Sequence, residues 1–223
     1  VPATVDDLLD HCREAMARAE AGAEVTERHL RVGGRPVLLR AVGEVAGALR
    51  SPLAHLEVEP DGTPPALTIH AWAAPGADPL LAVDRSGLPA TDQLRFAELG
   101  ADACLMVWPV EGLVQGFRRG SAPGGGDEAF WWVPGVERVP LFELAMPFRP
   151  IAHWWSESVG LLMVHAAAVG TVEDGAVLLG GVSGSGKSTT SLWALTAEAL
   201  RFLGDDYVLV DPDAREVFSL YTT

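Results

Sequence analysis

Apolar residues at Val5, Leu8, Leu9, Cys12 and Met16 fall on one face of a helix, with polar residues between them. Thr4 stands where its side chain caps that helix. Asp6, Asp7 and Asp10 occupy its first turns, where a helix N-terminus favours negative charge. The period then shortens. Residues 28–42 read as two strands joined by a turn at Gly33 and Gly34. Further strands are expected at 66–72, at 104–107 and at 113–118. Turn residues punctuate this half at Pro60 to Gly62, Pro64-Pro65, Pro75-Gly76 and Gly87 to Pro89, and 121–127 has the composition of a mobile glycine-rich loop.

A second helix is expected at 148–159, with Pro150 in its first turn and Ile151, Trp154, Trp155 and Val159 on one face. Paired tryptophans can stack on bases, but hydrophobic packing between the two parts of the chain is the preferred reading. From Gly160 the pattern changes. Residues 161–169 form one strand-like run, and a turn at 173–175 leads into a short buried strand at 176–179. A helix is expected at 189–200. Residues 201–206 and 207–210 read as a strand or broken strand, 211–213 as a turn, and 215–221 as a returning strand. The expected fold is α+β. Residues 1–145 are expected to form a mixed N-terminal domain of unknown role, and 146–223 a phosphate-loop core with too few strands to be complete at its C-terminus.

Between the strand at 176–179 and the helix after it, Gly181, Gly186, Lys187 and Ser188 complete the spacing G-x-x-x-x-G-K-S. Glycines suit this chemistry because backbone N–H groups must curl around phosphate oxygens where Cβ atoms would intrude. The helix N-terminus adds partial positive charge on the same oxygens. Gly181, Ser183, Gly184, Ser185, Gly186, Lys187, Ser188 and Thr189 are therefore the candidate nucleotide-binding residues. Lys187 would reach the β- and γ-phosphates, and the Ser188 hydroxyl would hold Mg²⁺.

Composition narrows the partners. Thirty acidic against sixteen basic residues give a formal charge of −14. That opposes non-specific nucleic-acid binding and attraction to an anionic membrane surface. A local basic spot such as Arg118-Arg119 could still dock an acidic peptide, but plain surface is the ordinary meaning of two adjacent arginines. The two cysteines, Cys12 and Cys104, lie in apolar contexts outside any Cys-x-x-Cys pair, as expected of buried thiols in a reducing compartment. With neither a signal-like leader nor a long apolar run, a cytoplasmic protein is expected.

Asp205-Asp206 follows Lys187 at the end of an apolar stretch. Two adjacent carboxylates beside a phosphate loop can divide labour, one binding Mg²⁺ and the other taking a proton from an acceptor hydroxyl. Asp205 is assigned the acceptor and Asp206 the metal, although the roles are exchangeable. His165 is either a satisfied core residue or a partner for a phosphate or carboxylate.

Three blocks in order carry a resemblance. They are His165 with its three alanines and Val169, the loop from Gly181 to Thr189, and Phe202 to Val210 around the acidic pair. The segment from about 145 to 223 resembles the HPr kinase/phosphorylase-related serine kinases, whose nucleotide-binding core is shared with ATP-dependent phosphoenolpyruvate carboxykinase. The resemblance implies ATP, Mg²⁺ and transfer of the γ-phosphoryl group to a serine hydroxyl. It also implies catalytic roles for His165, Lys187, Asp205 and Asp206, and metal contact by Ser188 and Asp206. The acidic residues that HPr kinases proper often carry within the loop and after its serine are not found here, so HPr itself is not inferred as substrate.

The leading expectation is an ATP-dependent serine kinase acting on a protein or precursor peptide, with a homo-oligomer left open. Two alternatives stay open: a nucleotide-binding regulatory module with no acceptor, and a small-molecule kinase or carboxykinase-like enzyme. A transporter-type ATPase shares the loop pattern. The early acidic pair and the block around His165 favour the kinase.

Overall fold

The computed structural model describes residues 4–74, 102–108, 112–122, 125–171, 173–182, 184–196 and 200–221, and the backbone of 95–98. The turns expected at Pro75-Gly76 and Gly87 to Pro89 lie outside the described residues, as does Ser183.

The first helix, α1 (Val5–Gly22), starts where Thr4 caps it. The Asp7 N–H donates to the Thr4 hydroxyl (3.1 Å) and the Asp7 carboxylate accepts from the Thr4 N–H (2.8 Å), so two otherwise orphan donors are satisfied. All five residues of the expected stripe are buried. Strands β1 (Val25–Val32) and β2 (Arg35–Val42) form an antiparallel hairpin. Its turn places Gly33 and Gly34 at φ 54° and 74°, which glycine reaches without a Cβ penalty. A one-turn helix α2 (Val45–Ala48) follows, then β3 (Leu67–Ala73), β4 (Arg95–Glu98), β5 (Ala103–Trp108), β6 (Leu113–Arg118) and β7 (Asp127–Val133). Short α3 (Leu141–Ala145) and the longer α4 (Arg149–Ser158) complete this half.

These strands form one mixed sheet in the order β1-β2-β3-β7-β6-β5-β4. The pairs β2/β3 and β3/β7 are parallel and the others antiparallel. β4 and β7 are strands that the sequence pattern did not announce. All seven residues of β7 are buried, because α1 covers one face of the sheet and α4 lies on the other. A strand covered on both faces loses the alternation that marks a half-buried one. Under α1, Val5, Leu8, Leu9 and Met16 pack with Trp72, Phe130 and Trp132. On the opposite face Trp131, Phe148, Ile151 and Trp155 pack with Leu161, Leu209, Leu220 and Tyr221. This second cluster draws residues from both sides of position 145. The Tyr221 hydroxyl donates to the Pro147 carbonyl at 2.5 Å.

The rest of the chain forms two three-stranded sheets. One has the order β10-β9-β11, from β9 (Ala167–Thr171), β10 (Gly175–Leu179) and β11 (Arg201–Gly204). The other has the order β13-β12-β8, from β8 (Leu162–Val164), β12 (Val208–Asp211) and β13 (Glu216–Ser219). Helix α5 (Lys187–Ala194) follows β10. The whole is mixed α+β.

Three expectations need correction. The run at 161–169 is not one strand: it breaks at His165-Ala166 because its halves pair in different sheets, β8 with β12 and β9 with β10 and β11. The strand at 176–179 forms but is not buried, with Val177 60% exposed, because no element covers that edge strand among the described residues. The helix expected at 189–200 begins at Lys187, directly after the loop, and ends at Ala194. The break at 205–207, the hairpin after it and the helix containing Pro150 fall where the residue pattern placed them.

Cys12 and Cys104 are buried. Arg118 pairs with Asp6 and Asp10, and Arg119 faces Asp102. Among the described residues no helix is long and apolar enough to cross a membrane.

Candidate functional site

Register in the smaller sheet brings distant residues to one place. Both β10 and β11 run antiparallel to β9, with Leu179 opposite Ala167 and Gly204 opposite Ala168. The ends of β10 and β11 therefore lie at the edge where β9 begins. The loop 180–186 leaves the end of β10, Asp205-Asp206 leaves the end of β11, and His165 immediately precedes β9.

They meet in an open cleft of about 260 Å³ lined by His165, Gly184, Gly186, Lys187, Ser188, Thr189, Asp205 and Asp206. Eight of the residues selected from sequence thus share one cavity. Gly181 and Ser185 stand in the loop without lining it, and Ser183 lies outside the described residues. Gly186 caps α5 at φ 93° and Gly184 sits at φ 79°, both in the left-handed region that a β-carbon disfavours. This conformation delivers the chain into α5 with its first N–H groups unpaired by the helix itself. The Lys187 ammonium donates to the carbonyls of Gly181 (2.8 Å) and Val182 (3.3 Å), so it lies folded against its own loop.

His165 Nε2 lies 2.8 Å from Asp206 Oδ1, with the two side chains 50% and 40% exposed. The sequence left His165 between a core role and a polar one; the geometry gives it a carboxylate partner. Its ring stacks on Tyr207 at a centroid distance of 5.1 Å and an interplanar angle of 24°. Tyr207 packs in turn against the larger core cluster, so the stack relates the cleft histidine to the sheet below. Tyr207 was not selected from sequence; its place beside the acidic pair was the available signal. Gly204 was also passed over. A Cβ there would lie 3.1 Å from the Tyr221 carbonyl oxygen and 3.1 Å from Val208 Cγ1, closer than side chains ordinarily sit. The acidic pair turns beside this close approach, just past an irregular register between Phe202 and Gly204.

Hard oxygen ligands suited to Mg²⁺ are present in the cleft: the Ser188 hydroxyl and the carboxylates of Asp205 and Asp206. Among the described residues no group of three or more His, Cys, Asp or Glu could hold a metal ion unaided. This donor set fits a cation that also takes ligands from phosphate and water.

A second histidine–carboxylate pair lies elsewhere, beneath α1. His70 Nε2 is 3.3 Å from Glu128 Oε1, both side chains are buried, and Arg13 bonds the same carboxylate. Burial pushes the Glu128 carboxyl up, but His70 and Arg13 together outweigh it and hold Glu128 below the ordinary glutamate value. This pair has charge partners and packing around it but no phosphate-loop residues among those described.

No known protein-family model matches the chain, and no curated protein matches it.

Proposed function

We propose that this protein is an ATP-dependent serine kinase that transfers the γ-phosphoryl group to a serine hydroxyl of a protein or precursor peptide in the cytoplasm. The observation that carries the reading is convergence. Gly184 and residues 186–189 of the phosphate-loop motif, an acidic pair and a histidine, far apart in sequence, line one cleft. The loop has the left-handed glycines that a phosphate cradle requires. The resemblance of 145–223 to HPr kinase/phosphorylase-related kinases supports the same assignment, with a phosphoenolpyruvate carboxykinase-like core for 146–223.

On this reading the N–H groups of 184–189 bind the phosphates, and Lys187 leaves its loop carbonyls to meet the β- and γ-oxygens. Ser188 and Asp206 would hold Mg²⁺, which when bound supplies charge neutralisation on those oxygens. His165 orients Asp206 through their 2.8 Å contact. The acceptor serine oxygen bonds to the γ-phosphorus while the bond from that phosphorus to the bridging oxygen breaks. The serine proton passes to Asp205, and ADP leaves. Positioning and electrostatics account for most of the rate.

Mass spectrometry after incubation with ATP, Mg²⁺ and peptides encoded beside the gene tests this. The expected result is a phosphate mass gained on a serine and absent with Lys187→Ala. ATP binding without transfer to any peptide would favour the regulatory module or a small-molecule acceptor instead.

A further inference from the structure

A groove of about 520 Å³ continues from the phosphate cleft, and the two share His165. Met106 and Trp108 of β5, His153 and Trp154 of α4, Met163 of β8, and Tyr207 line it. Its walls therefore come from the large sheet, from the helix lying on that sheet and from the sheet that carries the acidic pair. We infer that this groove is the acceptor site, and that it takes an extended peptide with an aromatic or long aliphatic residue within two positions of the phosphorylated serine. The inference rests on the kinase reading above.

Position decides the end of the nucleotide that the groove serves. It meets the cleft at His165, the partner of Asp206, and includes none of the described residues of the loop. A triphosphate held by Lys187 and the loop presents its γ end to the acidic pair. The groove thus opens on the transferred phosphate and leads away from the nucleoside.

Chemistry decides what lies in it. Two indoles, a phenol ring and two thioethers make an apolar lining, and methionine adapts to different apolar shapes. Among the described residues the one guanidinium in its wall, Arg149, is engaged by Glu143 at 2.7 Å and lies over the Phe142 ring. The groove therefore offers an acidic side chain no unengaged arginine among the described residues, only the half-exposed imidazoles of His153 and His165, and a charged side chain pressed against the indoles and thioethers would lose part of its hydration.

Shape decides between a peptide and a small molecule. Small-molecule sites enclose most of their ligand. Here His153 and His165 on the walls are half exposed, which leaves room for a chain to run on past the groove. An extended segment advances about 3.3 Å per residue, so side chains one or two positions from a serine at His165 reach the aromatic wall.

The test is phosphorylation of a library of short serine-centred peptides by the full chain, with an ATP·Mg²⁺ titration on the same sample. Peptides with Trp, Tyr, Phe, Leu or Met beside the serine are expected to be favoured roughly ten- to a hundredfold over those with Asp, Lys or Gly. Trp154→Ala is expected to flatten that preference and Trp154→Phe to restore most of it. Because Trp154 also leans on the core, His153→Asp is the second variant: it puts a charge on the exposed wall without removing packing, and should flatten the preference equally. A preference that is absent, or unchanged in both variants, overturns the groove assignment and leaves the kinase reading standing. ATP binding with no peptide phosphorylated overturns the peptide occupant. No ATP binding by the wild type removes the kinase reading, and this inference falls with it.

Discussion

Strands β7 and β10 are both rich in apolar residues, yet one is buried along its whole length and the other is exposed along nearly all of it. β7 lies inside a seven-stranded sheet with a helix on each face. β10 lies at the edge of a three-stranded sheet, and α5 after it leaves Leu192, Trp193 and Leu195 largely in solvent. The difference teaches that packing and the candidate chemistry are segregated. The large sheet holds the bulk of the core. The phosphate loop, His165 and the acidic pair stand at one end of the three-stranded sheet, whose central strand β9 is buried but whose edge strand β10 is exposed.

That contrast is sharpened first by deleting one tryptophan from the well-covered side. Trp131 is fully buried, and Trp131→Ala is expected to destabilise the fold by about 3–5 kcal/mol, measured by chemical denaturation. A loss comparable to that of a surface variant would break the comparison. Next comes the tie between the regions. Tyr221→Phe removes the donor to the buried Pro147 carbonyl and should cost about 1–3 kcal/mol, visible as an earlier urea midpoint with an unchanged slope.

A smaller effect is gated by pH. Glu128 is held below its ordinary value of 4.5 in the folded state. Its contribution is therefore complete above that value and is lost as pH falls through the depressed folded value. Denaturation midpoints across an acid series should show Glu128→Gln with a flatter acid limb than the wild type. An unchanged limb would remove Glu128 from the account. The smallest change is expected at Trp193, which is 74% exposed: Trp193→Ala should shift stability by no more than about 0.5 kcal/mol in the same denaturation assay.

Much of this was legible in the residues. The Thr4 cap and the stripe from Val5 to Met16, the turn at Gly33 and Gly34, and the hairpin after the acidic pair follow local rules, and each forms. β7 was not legible, because its burial depends on what lies above and below it. The break at His165-Ala166 was hidden for a related reason, since a run of apolar residues does not say that its halves pair with different strands. The candidate site was legible as three separate motifs. Their meeting in one cleft depends on β10 and β11 both pairing with β9, which is long-range information. The His165–Tyr207 stack depends on a second long-range pairing, β8 with β12, where Val164 faces Val208, and the close approach at Gly204 is to Val208 and Tyr221.

The measurement that most directly tests the central claim is calorimetric titration of the full chain with ATP·Mg²⁺, wild type beside Lys187→Ala. A kinase that holds ATP through Lys187 should show saturable binding by the wild type, a loss of at least about tenfold in affinity for the variant, and equal melting temperatures for the two without nucleotide. Equal affinities, or no binding by a folded wild type, would contradict that claim.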